Sequence, residues 1–168
     1  MYITAQVLGI FATVILLGYT LVKVDRKRII VYNIIINILW ALHYFILKAY
    51  TGAFCSIFTA LMVYISSFKG KNKFFETAAV PVIFSIMYVI IENFTWSGMP
   101  TVIQMAGNII LTIAMWSDEE KRIKALFIPV GVLWFIYNYI YFSPIGLIGQ
   151  ALAVSFNVFY LVRHSDYI

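Results

Sequence analysis

Residues 39–44 read Leu39-Trp40-Ala41-Leu42-His43-Tyr44, and residues 133–138 read Leu133-Trp134-Phe135-Ile136-Tyr137-Asn138. Trp40 is followed twelve residues later by Gly52, and Trp134 twelve residues later by Gly146. Upstream, Gln6-Val7-Leu8-Gly9 matches Gln104-Met105-Ala106-Gly107. The Gln-to-Trp spacings are 34 and 30, and the difference falls in the break between the first two apolar segments. Self-similarity of this kind decides an architecture before any single element does.

Outward from these two stretches the chain is apolar almost throughout. Of its 168 residues 63% are hydrophobic and 11% charged, and the mean hydropathy is +0.93. Soluble domains carry about 25% charged residues, and a chain this short cannot hide the excess in a core. The solvent for most of its surface is therefore lipid. That excludes a soluble enzyme, a nucleic-acid binder, a disulfide scaffold and a disordered regulator. One cysteine, Cys55, permits no intrachain disulfide and reads as a small buried hydrophobe. Two distant histidines, His43 and His164, make no metal cluster, so no metal or cofactor is expected.

Seven apolar segments follow one another, at about residues 3–22, 29–47, 53–68, 77–91, 101–116, 125–141 and 145–162. Continuous runs near the ~20 residues that cross a bilayer predict helices, because barrel strands would alternate over about ten positions. Met1-Tyr2-Ile3-Thr4 lacks the basic region of a signal peptide, so the first run reads as a retained span. Ser117-Asp118-Glu119-Glu120 predicts a capping box at the sixth helix. Pro100 and Pro144 mark the starts of the fifth and seventh.

The charges orient the bundle. Lys23, Arg26, Lys27, Arg28, Lys69, Lys71, Lys73, Lys121, Arg122, Lys124 and Arg163 share one side, and Lys48 alone holds the other. Eleven against one puts the first side, and the C-terminus, in the cytoplasm and the N-terminus outside. Each repeat then holds three helices running in matching directions. The expected organisation is 3+1+3: residues 1–73 as the first repeat, 74–98 as a linker helix and 99–168 as the second repeat. Parallel repeats let two halves rock about a midplane site.

This layout resembles the SWEET, PQ-loop and PnuC superfamily of small-solute transporters. Asn37 through Tyr44 and Ala49 through Ala53, with Leu133 through Asn138, Gly146, Asn157 and Arg163-His164, is similar more closely to the YgjV-type bacterial inner-membrane proteins. The resemblance covers essentially the whole chain and implies a multi-pass protein of the bacterial inner membrane. SWEET-type transporters carry paired prolines as hinges. Here the first repeat has none, and Pro129 is the one proline within a span of the second, hence the candidate hinge.

Polar groups inside a bilayer ask for a partner, a cavity or a substrate. Asn33, Asn37, Trp40 and Tyr44 share one helical face, with His43 on its shoulder. Trp134, Tyr137 and Asn138 sit at matching depth in the other repeat, and Gln150 and Asn157 lie on the last helix. The candidate solute site is Asn37, Trp40, His43, Tyr44, Trp134, Tyr137, Asn138, Gln150 and Asn157, with indoles stacking on a ring-shaped solute and amides bonding to it. Competing readings are interhelical cross-links for the amides, an interfacial belt for the tryptophans and a packing role for His43. Of the amides, Asn138 and Asn157 are the stronger pocket candidates.

All seven acids fall at helix ends or in loops, with Lys48 and Glu92 placed at the outer rim. A coupled carrier keeps a carboxylate in the interior. The expected function is thus an uncoupled facilitator of a small sugar, nucleoside or vitamin-like solute by alternating access, and no enzyme. The expected partners are that solute and membrane lipid, with no nucleic acid; the bundle can pack alone or as a homo-oligomer. The alternative is a non-transporting accessory or receptor protein of the same fold.

Overall fold

A computed structural model describes residues 1–20 and 24–163. Lys23 and His164 lie outside the described residues. The described chain is helical, without strands: α1 (Tyr2–Thr20), α2 (Arg26–Ile46), α3 (Tyr50–Ser66), α4 (Ala79–Phe94), α5 (Met99–Met115), α6 (Glu120–Ile140) and α7 (Pro144–Arg163), with a 3-10 turn at Lys73–Glu76. Each predicted segment contains one helix, and the ends agree to within five residues. Helices α1, α2, α6 and α7, of 19 to 21 residues, are long and apolar enough to cross a membrane. Helices α3, α4 and α5 are apolar but shorter, at 16 or 17 residues.

Apolar side chains cover the outside as well as filling the core, and polar ones are buried among them. Val82, Ile83, Ile86, Met87 and Ile90 of α4 face outward, as do Val7, Ile10, Phe11 and Val14 of α1. Asn33, His43, Gln104, Asn108, Asn138 and Asn157 are buried. In lipid this is the favourable arrangement, because a polar group costs free energy wherever it meets hydrocarbon without a partner.

Local chemistry sets the helix ends. Asp25 caps α2, its side chain accepting from the Arg28 N–H at 2.9 Å. Gly98, at φ 84°, turns the chain into α5 with Pro100 in its first turn, and Pro144 opens α7. The capping box expected at α6 does not form: α6 starts at Glu120, and no side chain caps it. Its residues are engaged elsewhere. The Ser117 carbonyl accepts from Arg26 Nε at 3.3 Å, and Asp118 pairs with Lys69 at 2.8 Å.

Six helices close a ring. Around it α1 packs on α2, α2 on α3, α3 on α5, α5 on α6, α6 on α7 and α7 on α1. Helix α4 stands outside, laid over the seam between α3 and α5. One end of the ring is tied by basic side chains. Arg26 Nη2 donates to the carbonyls of Ser66 and Met115, both at 3.0 Å, joining the start of α2 to the ends of α3 and α5. Lys124 Nζ donates to the Thr20 carbonyl at 3.3 Å and pairs with Glu120 at 3.2 Å, joining the start of α6 to the end of α1. Cations belong at these carbonyl ends, where the helix dipoles are negative.

Candidate functional site

A cavity of about 80 Å³ lies inside the ring. All six ring helices contribute to its wall, and α4 does not. Leu16, Ile36, Leu111, Phe127 and Val130 supply its apolar lining, and Asn33, Asn37, Ser56, Gln150 and Asn157 its polar groups. A cavity of that size holds several waters. It is smaller than the ~300 Å³ typical of closed ligand sites, so a ring-shaped solute needs the walls to part.

Of the sequence-predicted residues, Asn37, Trp40, Tyr44, Trp134, Gln150 and Asn157 line this cavity. Asn157 is the amide with spare capacity: its Nδ2 donates to the Ala153 carbonyl at 2.9 Å, and its buried Oδ1 has no partner. Asn37 donates to the Asn33 carbonyl at 2.8 Å. His43, Tyr137 and Asn138 do not line the cavity. They belong to a polar-aromatic layer beside Tyr44, towards the end of the ring where α2 and α6 stop.

In that layer the Tyr44 hydroxyl donates to Asn138 Oδ1 at 3.0 Å, and Asn138 Nδ2 donates to the Trp134 carbonyl at 2.7 Å. Asn138 is thereby fully engaged in packing. Tyr44 stacks on Trp40 with centroids 5.5 Å apart and on Trp134 at 5.9 Å. A phenol of the chain itself thus already engages both indoles, the contact expected of a solute. His43 lies between Ala5 and Ser143: Nδ1 is 2.7 Å from the Ala5 carbonyl and must donate to it, leaving Nε2 to accept from Ser143 Oγ at 2.9 Å. Both ring nitrogens are used, which is the behaviour of a packing histidine. Pro129 lies on the outer face of α6, next to the cavity-lining Val130 and Gly131.

A family model described as bacterial inner membrane protein, Imp-YgjV, matches residues 3–167. The chain belongs to the Imp-YgjV family. No curated protein and no solved structure is significantly similar to it. Family and helices agree that this is a membrane protein, with the cavity of the Imp-YgjV chain at the centre of its ring.

A second polar centre of this Imp-YgjV protein lies in the seam under α4. Sequence reading placed Glu92 at an outer rim beside Lys48, but its side chain is fully buried. Glu92 Oε1 accepts from Asn108 Nδ2 at 2.8 Å and from Cys55 Sγ at 3.4 Å, with no bond to Lys48. A turn away, Thr59 Oγ1 and the Tyr88 hydroxyl are 2.6 Å apart, and Thr51 Oγ1 donates to the Thr95 carbonyl at 2.6 Å. Tyr88, Glu92 and Thr95 stand at i, i+4 and i+7 on one face of α4. That spacing was the available signal that Glu92 points inward. An interior carboxyl also removes the premise from which uncoupled transport was expected.

Proposed function

We propose that this protein is an integral inner-membrane transporter that carries a small polar or ring-shaped solute by alternating access, without catalytic chemistry. The observation that carries the reading is the cavity: six helices from two similar halves wall it, the intervening helix is excluded, and Asn157 offers it an unpartnered buried oxygen. An acceptor buried without a partner costs about 1–3 kcal/mol, and a solute or water in the cavity would supply the donor that Asn157 Oδ1 lacks.

Two further observations favour a 3+1+3 organisation with parallel halves. Tyr44 and Asn138 occupy equivalent places in the two matching stretches and hydrogen-bond to each other, as residues beside a pseudo-two-fold axis would. The basic ties are also crosswise. Arg26 of α2 reaches the end of α5, while Lys124 of α6 reaches the end of α1. In this reading residues 1–73 and 99–168 rock against one another while 74–98 link them, Pro129 lets α6 bend, and the cytoplasmic face is the basic one.

The wall supplies Trp40, Trp134, Asn37, Gln150 and Asn157 as solute contacts. Tyr44 must swing away from the indoles when a ring-shaped solute enters, which makes it the residue that closes the site. Sugars, nucleosides and vitamin-like rings are the solute classes such groups recognise.

The test is solute-dependent thermal stabilisation of the purified protein in detergent, followed by flux into liposomes. A solute that stabilises the wild type should fail to stabilise Asn157→Ala and Trp40→Ala, and its flux should fall at least tenfold. Stabilisation that survives both substitutions sinks the cavity as the site. The second reading, a non-transporting accessory protein, draws on the Tyr44 stacking and the fully engaged Asn138. It predicts no flux of any sugar, nucleoside or vitamin-like solute.

A further inference from the structure

Glu92 and Asn108 are joined by one hydrogen bond, Nδ2 to Oε1 at 2.8 Å. The other oxygen of each side chain, Glu92 Oε2 and Asn108 Oδ1, is buried without a partner. Two acceptors cannot satisfy each other, and an ionised carboxylate enclosed by protein and lipid without a cation carries a large desolvation cost. No lysine, arginine or histidine among the described residues bonds to this carboxyl. The titratable groups facing it are Cys55 from α3 and Tyr88 from its own helix. From α5 comes the neutral amide Asn108; Gln104, one turn earlier, donates to the Thr51 carbonyl at 3.2 Å and leaves its own buried Oε1 without a partner.

A single added proton resolves the arrangement. Placed on Oε2 it turns that oxygen into a donor, and an acid and an amide already joined Nδ2–H to Oε1 can close into a ring by donating Oε2–H to Oδ1. The same proton removes the uncompensated charge. We infer that Glu92 and Asn108 form a proton-binding site in the seam of α3, α4 and α5, with Glu92 carrying the proton at neutral pH and Asn108 holding it in place. The balance is simple: the proton arrives from water, one O–H bond forms on Oε2, and its release returns a carboxylate. Glu92 lies in the last turn of α4, next to the 95–98 connection, and the proton enters from that end of the seam.

The site lies outside the cavity, and the inference stands whether or not the protein moves a solute. If it does, the proton site gives that movement a means of coupling to the proton gradient.

The test is infrared spectroscopy of the full-length protein in lipid nanodiscs at pH 7, with and without ¹³C-glutamate labelling. The wild type should show a label-sensitive C=O stretch of a hydrogen-bonded carboxylic acid that shifts to lower frequency in D₂O. Glu92→Gln, which keeps the shape of the pair, should abolish the band. Asn108→Leu should move it to higher frequency, because the acid loses its amide partner. The inference is overturned if all glutamate signal of the wild type lies in the carboxylate region, or if the acid band survives Glu92→Gln. It is also overturned if a carboxylate signal responds to replacing sodium by an organic cation, which would make the seam a metal-cation site. Should Glu92→Gln fail to fold, the labelled wild type and Asn108→Leu still decide.

Discussion

A Cβ added at Gly146 would overlap Asn138 Oδ1 and lie 2.9 Å from Ser143 Oγ. Asn138 cannot yield cheaply, because its amide is fixed by the Tyr44 hydroxyl on one side and the Trp134 carbonyl on the other. Gly146→Ala should therefore destabilise the protein by about 1–3 kcal/mol, the usual cost of overpacking. Gly18, with nothing within 4 Å of the corresponding point, gives the control. There the substitution should leave stability unchanged or raise it by up to about 1 kcal/mol, since alanine restricts the unfolded chain. SDS-induced unfolding in mixed micelles measures both, and equal effects at the two glycines would refute the claim that α7 is held close to the Asn138 layer. The glycine twelve residues after each tryptophan was visible in the sequence. Its reason was not, because it depends on which neighbour fills the space.

At the scale of elements, Arg26 does work that no residue of its own helix needs. Its guanidinium meets the carbonyls of Ser66, Met115 and Ser117, closing the ends of α3 and α5 with one planar fork. Arg26→Met should cost about 1.5–3 kcal/mol, the range for hydrogen bonds to a charged group. Arg26→Lys should recover only part of that, since an ammonium on a flexible stem does not reproduce the fork. The same unfolding assay reads the pair, and full recovery by lysine would mean that charge alone matters. Elements such as these were legible because a bilayer demands long apolar runs, so segments stand out whatever they pack against. What the ends and faces do was less legible. Ser117 and Asp118 look like a cap in isolation, yet the charges of Arg26 and Lys69 claim them from far away in sequence. Glu92 looks like a rim residue by its place near a helix end. Only the seating of α4 on the α3–α5 seam, where Asn108 and Cys55 wait, turns it inward. Of the candidate site, the residues whose position follows from helical spacing reached the cavity wall. His43, Tyr137 and Asn138 did not; His43 and Asn138 each have a partner in the other half of the chain, Ser143 and Tyr44, which no spacing within a helix encodes.

For the molecule as a whole, the ties at one end of the ring gather the charges that the sequence counted. Arg26, Lys69 and Lys124 meet the carbonyl ends of α1, α3 and α5 there, whereas Lys48 follows α2 at the opposite end. The proposed orientation puts this basic end on the cytoplasmic side, where lysine and arginine collect. Helix α7 ends at the basic end with Arg163, so in that orientation a green fluorescent protein fused after Ile168 should fluoresce and an alkaline phosphatase fused there should be inactive. A cysteine placed at Asn72 should be shielded from a membrane-impermeant maleimide in intact spheroplasts, and one at Ser97 should react. Cys55 is fully buried and is replaced by serine in both variants so that the engineered thiol is the one reporting. Labelling at Asn72 together with protection at Ser97 would invert the molecule. The Glu92 seam, which lies near the Ser97 end, would then exchange its proton with the cytoplasm rather than the outside. Orientation thus fixes which compartment's pH the Glu92–Asn108 pair senses, and the two-cysteine experiment decides it without knowledge of any solute.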